Sequence, residues 1–153
     1  NPIKALDYLD KGGKYLDEAV KLDSKNPAIR LLRLENGIEV SRTSPVKRYS
    51  VVADDVDFLM ETDMTGWDGV LKAEVYLFCG YFQTDAGDLD TALDLFDSAI
   101  EAAPNSEPGK SAQKMIDKYP ALSQVLRTVP SKSSSSSGKS ILAEYCLSLR
   151  NAT

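Results

Sequence analysis

The chain has 153 residues, 42% hydrophobic and 27% charged, and its 18 basic and 23 acidic side chains give a net charge of −5. By composition it is neither disordered nor membrane-spanning, and one soluble domain is expected. Because binding phosphates takes a basic face and Lys and Arg are spread singly here, we expect no nucleic-acid partner.

Apolar residues recur at spacings of three and four, which predicts an all-α fold. Residues 2–23 form the first predicted helix, which Gly12 and Gly13 weaken or break in its middle. Asn26-Pro27 is a helix-start signal, and the helix that it opens continues to about Ser41. Ser44-Pro45 ends that helix, and residues 46–61 carry the next apolar stripe.

The second half of the chain continues the helical pattern. A loop that contains Gly66 and Gly69 precedes residues 70–82, which are apolar almost all round and need cover on several sides. The Gly87 turn separates them from an amphipathic helix that runs from Leu89 to Pro104. A further helix is predicted over residues 109–119, and the apolar pattern continues from Leu122 to Val129. A Ser-rich linker, 131–140, then precedes a C-terminal amphipathic helix, 141–153.

Residues 73–106 carry a regular set of small and aromatic positions along two helices and the turn between them: Tyr76, Gly80, Gly87, Leu89, Ala92, Phe96, Ala99 and Pro104. In this set the sequence resembles the tetratricopeptide repeat, a helix-turn-helix unit of about 34 residues. Gln83 departs from the pattern, since an aromatic residue or Leu is usual there. Residues 12–25 resemble the second half of another repeat.

The resemblance implies an antiparallel helix-turn-helix array over residues 1–130, a tetratricopeptide-like solenoid with C-terminal capping helices. It also implies a function, the binding of a protein or peptide segment in a concave groove that the first helix of each repeat lines. The expected groove residues lie on two successive first helices: Leu31, Glu35, Ile38, Glu74, Leu77, Phe78 and Tyr81. Since Leu77 and Tyr81 are not the basic residues of a clamp for acidic tails, an apolar or amphipathic helix is the expected ligand.

Two alternatives stay open at this point. The C-terminal helix either occupies the groove in cis or packs on an outer face as a cap. The whole chain is either a peptide-binding scaffold or a structural subunit of a larger assembly that has no groove of its own.

We predict no catalytic residue, metal or cofactor. The chain has no His, which removes imidazole acid/base chemistry and His-containing metal sites. Asp54, Asp55 and Asp57 fall on the polar side of their helix, where a solvated face is the better interpretation than an acid/base pair. Trp67 is expected to anchor its loop in the core rather than to bind a ligand.

The cysteines and the first residues bear on localisation. Cys79 and Cys146 have no second cysteine nearby, so we expect separate thiols. Residues 1–20 lack the apolar core of a signal peptide, and together these points favour the cytoplasm slightly. Since the first residue is Asn1 rather than Met, the sequence leaves open whether a targeting segment has been removed.

Overall fold

The computed structural model describes residues 2–119, with the side chains of all but residues 2, 3, 5 and 6. This part of the chain has six helices and no strand, so the all-α prediction is confirmed for it. The helices are α1 (Pro2–Leu22), α2 (Pro27–Thr43), α3 (Tyr49–Glu61), α4 (Gly69–Ala86), α5 (Leu89–Ala102) and α6 (Glu107–Asp117). The predicted pattern at 122–129, the linker 131–140, the helix 141–153 and Cys146 lie outside the described residues.

Short polar side chains begin most of these helices, as the sequence indicates. The Asn26 carboxamide oxygen accepts hydrogen bonds from the amides of Ala28 and Ile29, at 3.0 and 3.4 Å. Asp68 and Asp88 cap α4 and α5 in the same way. Gly87, with φ of +86°, ends α4 in the left-handed conformation that glycine adopts without a steric penalty.

The expected weak point in α1 is absent, because the helix is continuous through Gly12 and Gly13. Gly13 makes room for another side chain: a Cβ there would lie 2.9 Å from the Arg48 guanidinium, whose Nη2 donates to the Gly13 carbonyl oxygen at 3.4 Å. The ion pairs Asp7–Lys11 and Asp10–Lys14 link successive turns across the same region. Gly13 therefore allows the close packing of Arg48 and does not break the helix.

Helix α3 begins three residues later than the sequence predicts, at Tyr49 instead of position 46. The residues between are held against the end of α2: the Arg48 amide donates to Ser41 Oγ at 2.9 Å, and Lys47 Nζ donates to the Ser41 carbonyl oxygen. These bonds satisfy backbone groups outside a helix, so residues 46–48 stay outside α3.

The prediction of a solvated acidic face on α3 is wrong at Asp55. Asp54 and Asp57 are exposed, but the Asp55 side chain is 0% exposed. Its two carboxylate oxygens accept from Arg33 Nε at 2.7 Å and Arg33 Nη2 at 2.8 Å, in the bidentate geometry that suits an arginine. Arg30 adds a third bond at 3.0 Å. Two arginines from α2 thus offset the cost of burying this charge.

The buried ion pairs extend from α3 to α1. Asp17 of α1 accepts from Arg33 Nη1 at 3.3 Å and from Arg48 Nη2 at 2.6 Å. We call the five residues the arginine–aspartate network: Asp17, Arg30, Arg33, Arg48 and Asp55. It connects α1, α2 and the start of α3 through charged groups that are mostly buried.

Each helix packs on the next one along the chain, and α4 also packs on α2 and α6. The predicted cover around α4 is therefore provided by four neighbours, α2, α3, α5 and α6. The main core joins α2, α3, α4 and α5 through one set of buried side chains: Leu31, Leu34, Ile38, Val52, Val56, Leu59, Val75, Cys79 and Leu95.

The close crossing predicted at Gly80 is confirmed. A Cβ built there would lie 2.6 Å from Phe96 Cε1 and 2.8 Å from Cδ1, so only glycine lets α4 and α5 approach this closely. Ala92, Phe96 and Ala99 of α5 are at most 1% exposed, as expected for a helix face that packs on another helix.

Candidate functional site

All seven predicted groove residues lie on α2 or α4, two helices that pack on each other. Leu31, Ile38 and Leu77 are 5%, 2% and 5% exposed, so they belong to the interior. The other four, Glu35, Glu74, Phe78 and Tyr81, are partly buried. We call the contact region between these two helices the α2–α4 seam, and packing covers much of it.

Two carboxylates, Glu35 of α2 and Glu74 of α4, interact electrostatically across the seam. Burial, with a further contribution from the negative charge of Glu74, raises the pKa of Glu35 to about 7. No side-chain hydrogen bond or ion pair joins either carboxylate to another group within residues 2–119. A cation placed here would favour the charged form of Glu35 and pair with both carboxylates.

One end of the seam, near Thr43 and Ala86, is closed by a packed cluster. Arg42 donates to both carboxylate oxygens of Asp85, at 2.9 and 2.8 Å, and its guanidinium lies 4.5 Å from the centre of the Tyr81 ring. The Asp85 hydrogen bonds, more than any other contact, raise the pKa of Arg42. Tyr81 packs edge-on against Phe78 and Phe96, with ring centres 5.6 and 5.9 Å apart. The ring of Tyr81 and the Arg42–Asp85 ion pair therefore fill the space between the two helices at this end.

The opposite end of the seam opens into an apolar pocket of about 260 Å³. The pocket is formed by the start of α2, the start of α4 and the loop before α4, and its walls are Pro27, Ala28, Leu31, Trp67 and Leu71. Leu71 is 36% exposed at the rim, whereas Leu31 is part of the core and lies at the inner side. A pocket of this size and lining accommodates a branched or aromatic side chain.

Sequence reasoning found only Leu31 of the five pocket residues. Trp67 is partly buried against the core, as expected for a residue that anchors its loop. It also lines the pocket, which the sequence did not predict. A usable signal was present, because Trp67, Leu71, Glu74, Phe78 and Tyr81 follow one another at spacings of four, three, four and three. That spacing places them on one face of α4 and the turn before it.

Other chemistry in the described residues is sparse. Burial raises the pKa of the Cys79 thiol to about 12, so this free cysteine stays protonated and unreactive. Within residues 2–119, no three Cys, Asp or Glu side chains are grouped in a way that would hold a metal ion. The helices of this part of the chain are too short or too polar to cross a membrane.

Comparison of the chain with protein-family models, with curated proteins and with solved structures gives no match.

Proposed function

We propose that this chain is a protein-interaction module of tetratricopeptide-like architecture, in which α2–α3 and α4–α5 are stacked helix-turn-helix pairs. The helix contacts support this arrangement. Successive helices pack on each other, and α2, α4 and α6, the first-helix positions, form one contact row. The glycine crossing between α4 and α5 is a second supporting feature. We assign the chain no catalytic role and no cofactor.

The ligand that we propose is an amphipathic helical segment of another protein, which inserts one apolar side chain into the α2–α4 pocket. The observation that carries this proposal is the pocket itself, an open cavity with almost wholly apolar walls beside the exposed side chain of Val70. Apolar pockets that receive one anchoring side chain are the usual energetic centre of a helix-in-groove complex.

The charges beside the pocket define the ligand further. Glu35 lies four residues after Leu31 on α2, and Glu74 lies three residues after Leu71 on α4, so both carboxylates are about one helical turn from the pocket. A Lys or Arg of the ligand, one turn from the apolar anchor, would pair with them. We therefore expect an apolar residue followed or preceded by a basic residue at a spacing of three or four.

Selection from a displayed library of helical peptides tests this function. We expect selected peptides to share the apolar-plus-basic pattern and to lose binding when Leu71→Asp places a charge at the pocket rim. Val70→Asp is the matched control, because Val70 is the neighbouring exposed residue, 46% exposed, and does not line the pocket. Failure to select any such peptide, or equal loss in both variants, would contradict the proposal.

The chain's own segment 141–150 is the second candidate occupant that the sequence predicts, through the apolar stripe of Ile141, Leu142, Tyr145 and Leu149. In the full chain, the double change Leu142→Asp with Tyr145→Asp separates the two cases. Tighter binding of a selected peptide would identify the segment as a competitor in cis, since a tethered competitor acts at high effective concentration. Unchanged peptide affinity would mean that segment 141–150 does not compete for the pocket.

A further inference from the structure

Helix α1 has a long apolar face that no helix of residues 2–119 covers. Tyr8, Tyr15 and Leu22 are 71%, 74% and 88% exposed, which makes them the most exposed of the large apolar side chains in the described region. Helix α1 packs on α2, and its other side carries buried residues such as Gly13 and Val20. Three large side chains on one face of a helix exceed the scattered apolar exposure that a surface normally shows.

The exposed face has a regular sequence. Positions 8, 12, 15, 19 and 22 follow at spacings of four, three, four and three, which is the repeat of a coiled-coil seam. Large and small residues alternate along it: Tyr8, Gly12, Tyr15, Ala19 and Leu22. The space above Gly12 is open, since a Cβ built there meets no atom within 4 Å. The face therefore has bulges and recesses in alternation.

We propose that this face binds the same face of a second copy of the chain, with the two α1 helices antiparallel. A two-fold axis between Gly13 and Lys14 places Tyr8 opposite the second copy's Ala19, and Tyr15 opposite the second copy's Gly12. Both tyrosines then meet a small residue, which is the complementarity that a two-fold interface requires of a single surface. A parallel pair would instead place Tyr15 on Tyr15 and Gly12 on Gly12.

The charges along one edge of this face favour the same orientation. Lys11 and Glu18 flank the exposed face of α1. The antiparallel pairing brings Lys11 of each copy to Glu18 of the other. Within one copy these two residues are about two helical turns apart and pair elsewhere, Lys11 with Asp7 at 2.7 Å and Glu18 with Lys21 at 2.6 Å. All four groups are at least half exposed, so they are free to exchange partners when a second copy docks.

This interface is separate from the α2–α4 pocket, and no residue belongs to both. The antiparallel pair would hold two pockets in one molecule. The inference stands on the α1 face alone and does not depend on the proposed peptide ligand.

A charge exchange in the full chain, followed by sedimentation equilibrium from micromolar to millimolar concentration, tests the proposal. We expect the wild-type chain to dimerise. Lys11→Glu or Glu18→Lys alone creates like-charge contacts at two symmetric places and should weaken the dimer about tenfold. The double exchange, Lys11→Glu with Glu18→Lys, restores opposite charges across an antiparallel interface and should restore the dimer.

Lys14→Glu is the matched control. It makes the same charge change on the same helix and removes an equivalent intrahelical ion pair, Asp10–Lys14. It lies outside the proposed α1 interface. We expect it to leave the dimer unchanged, with circular dichroism confirming equal helix content in all variants. A wild-type chain that stays monomeric throughout, or a double exchange that binds no better than the single variants, would overturn the proposal.

Discussion

At the scale of single residues, the main finding is the burial of Asp55. Its pattern position on α3 places it beside the exposed Asp54, and only the arrival of Arg33 and Arg30 from another helix makes its burial tolerable. Pattern reading along one helix has no access to such a partner, because Arg33 is 22 residues away along the chain. Buried ion pairs of this kind are costly to break from one side.

Asp55→Ala should therefore lower the free energy of unfolding by about 3 kcal/mol, since it leaves two largely buried guanidinium groups without their carboxylate. Asp54→Ala is the neighbouring control on the exposed side of the same helix, and it should change stability by less than about 0.5 kcal/mol. Urea denaturation of both variants measures the difference. Equal effects would show that the network contributes nothing beyond a surface charge.

Glu35 provides a second prediction at this scale, on pH. Its pKa is raised in the folded chain, so the folded state binds its proton more tightly than the unfolded state does. Stability from this group is complete below the ordinary glutamate range and is lost as the pH rises through about 7. After allowance for partial solvent screening, we expect Glu35→Gln to be about 1 kcal/mol more stable than wild type at pH 8.

Thermal melts at pH 5 and pH 8 measure this effect, and the gain from Glu35→Gln should be confined to the higher pH. Glu39→Gln, one turn further along α2 at an exposed position, serves as the control. A gain of equal size at both pH values would argue against titration of Glu35 as the cause.

At the scale of helices, the sequence determines where most elements begin and end, and the structure shows why two of them differ. Asn26-Pro27 and Gly87 act locally, through caps and a left-handed turn, and their predicted roles are correct. Arg48 contributes at both places: its guanidinium packs on Gly13 of α1, and its backbone amide donates to the Ser41 side chain just before α3 begins. Contacts between separate segments of this kind leave no periodic signal in the sequence.

The crossing of α4 and α5 gives a prediction for one pair of elements. Gly80→Ala should cost about 1–3 kcal/mol, because the new Cβ would overlap the fully buried ring of Phe96. Gly12→Ala makes the same substitution in α1, where the Cβ meets nothing, and should stabilise the chain by up to about 1 kcal/mol through helix propensity. Denaturation at low protein concentration compares them. A change in the free energy of unfolding with the same sign in both variants would contradict the close crossing.

At the scale of the whole described region, the helices are unequally supported. Helix α4 packs on four other helices, whereas α1 packs chiefly on α2 and is connected to it by the arginine–aspartate network. Local opening is easiest where few apolar contacts hold an element in place. The predicted core of α4 follows from its apolar sequence, but the weak attachment of α1 follows only from the packing.

Native-state hydrogen exchange measures this inequality. We expect the amides of residues 8–22 to exchange well before those of residues 73–84 at concentrations where the chain is monomeric. Raising the concentration should slow exchange in α1 alone if a second copy covers its exposed face. Equal protection of both helices under all conditions would mean that the region opens as one unit.

The α2–α4 pocket was the least predictable feature, because two segments far apart in the chain, residues 27–31 and 67–71, contribute its walls. One of its wall residues nevertheless makes ligand binding measurable by tryptophan fluorescence. Trp67 is the chain's single tryptophan, and its indole forms part of the pocket wall. Under excitation that tyrosine does not absorb, the emission of the unlabelled protein comes from this one indole beside the proposed binding position. Its wavelength should shift when a side chain displaces water there.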